Sequence, residues 1–152
     1  MDRRFMWLIA AVAIGAGALL WIAGHAHAAT YTFGAWWTVP TSELRVADGD
    51  SLFHGGSEWR LDAVDAAEKA AKCPDATAQA AARQKAKEAV QRLKALIAAA
   101  PTARVRLKGR KDKYGRRLAQ IRVAGVDVAK QLVSEGLAKP YNGAGPRPNW
   151  CR

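Results

Sequence analysis

The sequence is poor in residues that bind zinc and poor in negative charge. It has only 2 cysteines and 3 histidines in 152 residues, too few for a zinc site of the usual kind. There are 13 Asp and Glu against 24 Lys and Arg, which gives a formal net charge of +11. Such a chain attracts polyanions, and charge alone does not distinguish nucleic acid from acidic lipid. The length allows one modest domain and excludes a second.

The one long uncharged stretch lies at the N-terminus. Arg3 and Arg4 precede an uncharged run over residues 5–24, and Ala-His-Ala follows at 26–28. This order is typical of a secretory signal at residues 1–28, although the run is also long enough for an uncleaved membrane anchor. Both interpretations predict an exported domain, either periplasmic or secreted, or anchored in the inner membrane and facing outward.

The remainder of the chain divides into a linker and one domain. Residues 29–41 are rich in small and aromatic side chains and are interpreted as the linker, which leaves 42–152 as the folded domain. An even number of cysteines in an exported chain predicts one disulfide, here between Cys73 and Cys151. The alternative is a pair of free thiols, which an oxidising compartment disfavours.

Alternation of apolar and polar residues predicts five short strands. They lie near residues 44–46, 50–53, 58–63, 104–108 and 119–123. In the third strand, Trp59, Leu61 and Ala63 are expected to face the core.

Two helices are predicted from a period of 3.6 residues. The longer covers residues 75–99, and the shorter begins after Asp127 and stops at Gly136. The long helix therefore follows strand 3 and the short helix follows strand 5. This order suits an α+β, mainly β fold, a five-stranded Greek-key barrel of the OB type. Periodicity alone fits an open α+β sheet equally well.

Carboxylates cluster at two points in the chain. Asp48 and Asp50 flank a glycine, and Asp65 and Glu68 follow the third strand. Hard oxygen ligands of this kind suit Ca²⁺ or Mg²⁺. Taken alone, however, Asp-Gly is more often a turn than a ligand.

Arginines supply the second part of a phosphate-handling site. The guanidinium groups of Arg60 and Arg116 can each donate two hydrogen bonds to a phosphate. Either one alone would more often be an ordinary solvated strand arginine. Strand alternation places Arg60 and Asp65 on opposite faces, so their joint use requires a bend or bulge near Val64. The basic run over residues 104–117 would hold a nucleic-acid backbone without sequence preference.

Four motifs in order resemble the staphylococcal nuclease family. They are Val-Ala-Asp-Gly-Asp-Ser at 46–51, Arg-Leu-Asp-Ala-Val-Asp-Ala-Ala-Glu at 60–68, Asp-Lys-Tyr-Gly-Arg at 112–116 and Gly-Leu-Ala-Lys at 136–139. The resemblance implies an OB-fold, Ca²⁺-dependent endonuclease that acts on DNA and RNA and leaves 3′-phosphate ends. It implies no protein partner, a monomer, and membrane contact only through an uncleaved N-terminal segment.

The same resemblance assigns metal ligands. Asp50 and Asp65 would bind the ion together with the backbone carbonyl of Ala66, and Asp48 would lie in its outer shell. Here Ala66-Ala67 replaces the Thr-Pro found in the family, so the segment leading to Glu68 lacks a stiffening proline.

Further roles in catalysis and substrate binding follow from the matched motifs. Glu68 would orient or deprotonate the attacking water, Arg60 would bind the scissile phosphate, and Arg116 would stabilise the transition state. The side chains expected to line the nucleotide site are Lys113, Tyr114 and Tyr141.

Two alternatives of other classes remain open at this point. One is a catalytically silent OB-fold module that binds nucleic acid or an envelope partner, because a fold does not fix a function. The other is a membrane-tethered structural protein, which would keep its N-terminal segment and show no Ca²⁺-dependent activity.

Overall fold

A curled antiparallel sheet with one parallel pair forms the body of the domain. The computed structural model describes residues 32–152, so the predicted signal or anchor segment lies outside the described residues. In the described part, the strand order of the main sheet is β1-β6-β7-β4-β3-β2, with β8 paired to β7. Its strands are β1 (Trp37–Pro40), β2 (Arg45–Asp48), β3 (Ser51–His54), β4 (Ser57–Leu61), β6 (Thr102–Lys111), β7 (Arg117–Val123) and β8 (Val126–Asp127).

A second, two-stranded sheet pairs β5 (Val64–Ala66) with β9 (Ala138–Pro140). The curled sheet and the two helices described next confirm the predicted mainly β, α+β fold of the OB class. The five predicted strands correspond to β2, β3, β4, β6 and β7. Three of the other four strands, β5, β8 and β9, have only two or three residues each, too few for an alternating pattern to be distinguished from a loop.

Both predicted helices are present, and each begins at an aspartate. Helix α1 spans Ala76–Ile97, and the Asp75 side chain accepts a hydrogen bond from the Ala78 N–H. Helix α2 spans Val128–Ser134 and is capped in the same way by Asp127. Neither helix in the described residues is long and apolar enough to cross a membrane.

One core lies between the sheet and the helices. Its fully buried side chains include Leu52, Trp59, Leu61, Leu107, Ile121 and Leu132. Helix α1 packs against it through a face on which three of the buried residues are alanines, Ala82, Ala86 and Ala89. Small side chains let the helix approach closely, which matters for the turn between β2 and β3 described below.

The segment predicted as a linker contains a strand. Trp37–Pro40 pairs with the first four residues of β6, from Trp37 opposite Val105 to Pro40 opposite Thr102. The remainder of β6 extends beyond β1. The alternation of half-buried Trp37 and buried Val39 is too short to have been recognised, and Pro40 fits the edge position that the strand takes.

The predicted disulfide is also present. Cys73 and Cys151 are bonded, with their Cα atoms 5.4 Å apart. The bond fixes the C-terminal tail, defined here as residues 141–152, which has no helix or strand. In the chain-entropy model a loop of this length contributes roughly 4 kcal/mol.

Candidate active site

A tight turn between β2 and β3 forms the floor of the site. A Cβ atom at Gly49 would lie 2.7 Å from the Cβ of Ala89 on α1 and 2.8 Å from the Cβ of Ala66 on β5. Only glycine therefore allows this turn to lie between the helix and the strand. As a result, the Ala66 N–H reaches the Oδ2 of Asp50 at 2.9 Å. The Asp-Gly-Asp sequence forms a turn, and it also fixes a carboxylate against β5.

Arg60 joins the two aspartates predicted to act together. Its Nη1 donates to Asp50 Oδ1 at 2.9 Å, and its Nη2 lies 2.8 Å from Asp50 Oδ2 and 2.8 Å from Asp65 Oδ1. The exposed fractions are 6% for Arg60, 4% for Asp50 and 1% for Asp65. One buried guanidinium thus faces two buried carboxylates, which leaves an excess of negative charge that requires another cation nearby.

A bend at Ala63 brings Asp65 to Arg60. Strand β4 ends at Leu61, and Ala63 adopts a left-handed conformation with φ of 65°. Strand β5 then begins at Val64 on a different course, paired with β9. The bend required near Val64 is confirmed. The expectation that Ala63 faces the core is wrong, because this conformation leaves its side chain exposed.

The acidic groups of the site affect one another. Burial raises the pKa of Asp50, and the charges of Asp65 and Glu68 raise it further, while Arg60 and the Ala66 N–H oppose the shift. Burial likewise raises the pKa of Asp48, with Glu68 adding to the effect. These carboxylates lie close enough to repel, so an added cation would be stabilised among them.

A short turn after β6 presents Arg116. The Asp112 Oδ1 accepts hydrogen bonds from the backbone N–H groups of Tyr114 and Arg116, each at 2.9 Å. The Arg116 Nε donates to Asp112 Oδ2 at 2.7 Å. Burial raises the pKa of Asp112, but these hydrogen bonds outweigh burial and hold the pKa below its usual value. The turn therefore fixes both the backbone and the side chain of Arg116.

Arg60 and Arg116 converge on one place. Arg116 Nη1 lies 3.4 Å from the Ser51 Oγ, and Ser51 is the direct cross-strand partner of Arg60. Both arginines line a cavity of about 160 Å³. Two guanidinium groups thus line one cavity, and the Arg60 guanidinium connects it to the buried Asp50 and Asp65 behind it.

The predicted substrate residues lie around this same cavity. Lys113, Tyr114 and Tyr141 all belong to its lining. Tyr114 is 66% exposed, and the Lys113 Nζ lies 5.1 Å from the centre of its ring. The Tyr141 hydroxyl donates to the Gly145 carbonyl at 3.2 Å. An exposed aromatic ring beside cations is a suitable surface for a nucleotide base.

The C-terminal tail contributes two side chains that the sequence analysis missed. The Arg147 Nε donates to Asp65 Oδ1 at 2.9 Å, and its Nη2 donates to Glu68 Oε1 at 2.8 Å. The Trp150 Nε1 donates to Asp65 Oδ2 at 3.0 Å. A signal was present, because Cys73 follows Glu68 by five positions and Cys151 follows Arg147 by four. A disulfide between them keeps Arg147 within reach of Glu68.

The donor atoms suit a hard cation, but Arg147 holds two of the carboxylates. Asp50 and Asp65 supply oxygen ligands of the type that Ca²⁺ prefers, and Glu68 lies beside Asp65 on the same arginine. Within residues 32–152, however, no three His, Cys, Asp or Glu side chains are grouped as a metal site in their present positions. The residues fit Ca²⁺ chemically, but an ion on Asp50 and Asp65 would have to displace Arg147 and share both carboxylates with Arg60.

Comparison with known families agrees with this geometry. The family model for staphylococcal nuclease homologues matches residues 58–149, more than half of the chain. The chain belongs to the staphylococcal nuclease homologue family. The matched range of this family member includes Arg60, Asp65, Glu68 and Arg116, whereas Asp48 and Asp50 precede it. No match is found among the curated proteins.

Proposed function

We propose that this domain is an exported endonuclease that hydrolyses phosphodiester bonds in DNA and RNA with little sequence specificity. The observation that carries the proposal is the convergence of Arg60 and Arg116 on one cavity beside Asp50 and Asp65. Membership in the staphylococcal nuclease homologue family supports a nuclease-type domain. The net charge of +11 supports a polyanionic substrate.

In the proposed reaction, water adds to phosphorus and the bond from phosphorus to the 5′ oxygen breaks. Glu68 orients the water and accepts its proton. Arg60 and Arg116 bind the phosphate oxygens and stabilise the charge that grows on them in the transition state. A proton ends on the 5′ oxygen, so the products carry a 3′-phosphate and a 5′-hydroxyl. Tyr114, Lys113 and Tyr141 hold the neighbouring nucleotide.

The proposed cofactor is Ca²⁺. Asp50, Asp65 and the carbonyl of Ala66 would hold it, with Asp48 in the outer shell. When bound, the ion would supply positive charge beside the phosphate and lower the barrier electrostatically. The raised pKa values of Asp48 and Asp50, caused mainly by burial and increased by neighbouring carboxylates, support a site that would gain from such a cation.

The proposed location is the periplasm or the outside of the cell, or the outer face of the inner membrane. The disulfide between Cys73 and Cys151 supports an oxidising compartment. Mass determination of the N-terminus of the protein from a membrane and a soluble fraction would distinguish a cleaved signal from an anchor.

The decisive experiment incubates the purified domain with plasmid DNA and with RNA, in Ca²⁺ or in a chelator. We expect both substrates to be degraded only with Ca²⁺, and the ends to support polymerase extension only after phosphatase treatment. Arg60→Ala should reduce cleavage by at least about 100-fold. Arg122→Ala, which changes an exposed arginine on β7, is the matched control. Full cleavage by Arg60→Ala would show that the mechanism is wrong.

A second candidate function is a silent module that binds nucleic acid without cleaving it. The observation in its favour is that Arg147 and Trp150 occupy Asp65. This candidate predicts salt-dependent binding of DNA in a filter assay, with no cleavage in any divalent ion.

A further inference from the structure

We propose that Arg147 is an internal cation that competes with the divalent ion for Asp65 and for the place beside Glu68, so that the C-terminal tail sets the ion affinity of the site. This inference rests on the proposed Ca²⁺ site. It assigns to the tail a role that the catalytic proposal does not use.

The contacts of Arg147 are those that a bound ion would need. Its guanidinium contacts the Oδ1 of Asp65 and the Oε1 of Glu68. The Trp150 N–H donates a hydrogen bond to the other carboxylate oxygen of Asp65, Oδ2. Because Arg60 also donates to Asp65 Oδ1, both oxygens of this carboxylate already accept hydrogen bonds. A divalent ion cannot bind Asp65 beside Glu68 without displacing the Arg147 guanidinium.

Charge balance points in the same direction. Asp50 and Asp65 are buried against a single buried arginine, Arg60. Arg147 compensates the remaining negative charge when it lies on Asp65 and Glu68. A divalent ion in the place of Arg147 would also compensate this negative charge. Either cation can therefore balance the carboxylates, and the two together would repel each other.

Of the two arginines on Asp65, only Arg147 can yield its place. Arg60 lies on β4, paired on both sides by β3 and β7, and its side chain is 7% exposed. The side chain of Arg147 is 37% exposed and belongs to a segment without helix or strand. Water can solvate the Arg147 guanidinium when it leaves, so exchange with an ion requires no rearrangement of the sheet.

The disulfide makes the competition effective. It connects Cys151, four positions after Arg147, to Cys73, five positions after Glu68. Such a short connection keeps the guanidinium at a high effective concentration beside its two carboxylates. A free arginine in solution would compete far less well. The tail therefore weakens ion binding through both its disulfide attachment and the positive charge of Arg147.

The test measures Ca²⁺ binding by titration calorimetry, without substrate, for the disulfide-bonded domain and its variants. Arg147→Ala should lower the Ca²⁺ dissociation constant by about tenfold, which corresponds to about 1.4 kcal/mol. Arg147→Lys, which keeps the charge, should recover most of the wild-type value. Arg152→Ala removes an exposed arginine of the same tail and should leave the constant unchanged.

A second variant tests the role of the disulfide. Changing both Cys73 and Cys151 to serine should also tighten Ca²⁺ binding, and circular dichroism would verify that the domain is folded. Trp150→Phe keeps the disulfide and removes one hydrogen bond to Asp65. It should tighten binding less than Arg147→Ala does.

The outcomes separate this inference from the proposed function. If Arg147→Ala binds Ca²⁺ as wild type does or more weakly, Arg147 does not compete with the ion and the inference is overturned. That result would leave Ca²⁺-dependent cleavage by the wild type standing. If Arg147→Ala binds Ca²⁺ more tightly and still cleaves no nucleic acid, the competition is supported and the nuclease proposal fails. If neither the wild type nor Arg147→Ala binds Ca²⁺, the inference is overturned as well.

Discussion

The floor of the site and the tail that covers it both place an arginine on Asp65, by different means. Arg60 is positioned by a strand with partners on both sides, and it reaches two buried aspartates. Arg147 is positioned by a segment without regular structure, close to a disulfide, and it reaches one buried and one half-exposed carboxylate. The position of Arg60 is therefore fixed by the sheet, whereas Arg147 is held at the protein surface by the C-terminal tail.

If this contrast is correct, the largest effect comes from Arg60→Met compared with Arg147→Met. Removing the Arg60 charge leaves Asp50 and Asp65 buried without their main partner, which should cost about 3–5 kcal/mol of unfolding free energy. Arg147→Met should cost clearly less than this, because Arg60 still pairs with the buried Asp65 and the Arg147 side chain is itself 37% exposed. Urea denaturation of both variants at pH 7 measures the difference. Equal losses would show that the tail is as much a part of the fold as the floor.

Removal of the disulfide gives the next largest effect. Changing Cys73 and Cys151 to serine should reduce the unfolding free energy by roughly 2–4 kcal/mol, because the open chain gains entropy when unfolded. We expect the floor to persist, so the variant should still unfold in one cooperative transition. Thermal denaturation, with reduced wild-type protein as the control, measures the loss. A variant that lacks cooperative unfolding would contradict the independence of the floor from the tail.

A smaller effect is expected at the turn of the floor. Gly49→Ala would force its Cβ against Ala66 and Ala89, and such overpacking should cost about 1–3 kcal/mol. Displacement of Asp50 should reduce nuclease activity as well. Gly109→Ala is the matched control, since its Cβ would meet nothing within 4 Å. Similar stability of the two variants would mean that the turn does not depend on the close approach of α1 and β5.

The smallest effect is expected at Asp112, outside both regions. Its lowered pKa means that its contribution to stability is complete above the usual aspartate pKa of 3.8 and is lost as pH falls through the lower value in the folded protein. Asp112→Asn should therefore cost less than about 1 kcal/mol at pH 7. The difference from wild type should shrink below about pH 4. Denaturation of both proteins at a series of pH values measures this. A difference in unfolding free energy that does not change with pH would show that the charge of Asp112 contributes nothing.

Much of the fold that supports the floor of the site could be predicted from the sequence. Local patterns identified both helices and the capping residue Asp127, because caps and periodicity depend on neighbours in the chain. Five of the nine described strands followed from alternation for the same reason. The motif around Arg60 indicated the site, but its joint use with Asp65 depends on the left-handed turn at Ala63, which an alternating pattern does not reveal.

The tail could not be predicted in the same way. Arg147 contacts Asp65 across 82 positions of sequence, and nothing in the local pattern of residues 141–152 indicates where the tail lies. Only the pairing of Cys73 with Cys151 limits its position. That disulfide, taken as a distance constraint, places Arg147 near Glu68.

The reach of β6 beyond its neighbour β1 has a consequence for solubility. Among residues 32–152, β1 pairs with the first four residues of β6 and the Gly34 N–H donates to the Leu107 carbonyl, so residues 108–111 have no strand partner on that side. This end of the strand carries Lys108, Arg110 and Lys111. Positive side chains on an unpaired margin oppose the addition of a strand from another molecule. The lysines and arginines that would attract a polyanion therefore also protect the domain against strand-to-strand aggregation.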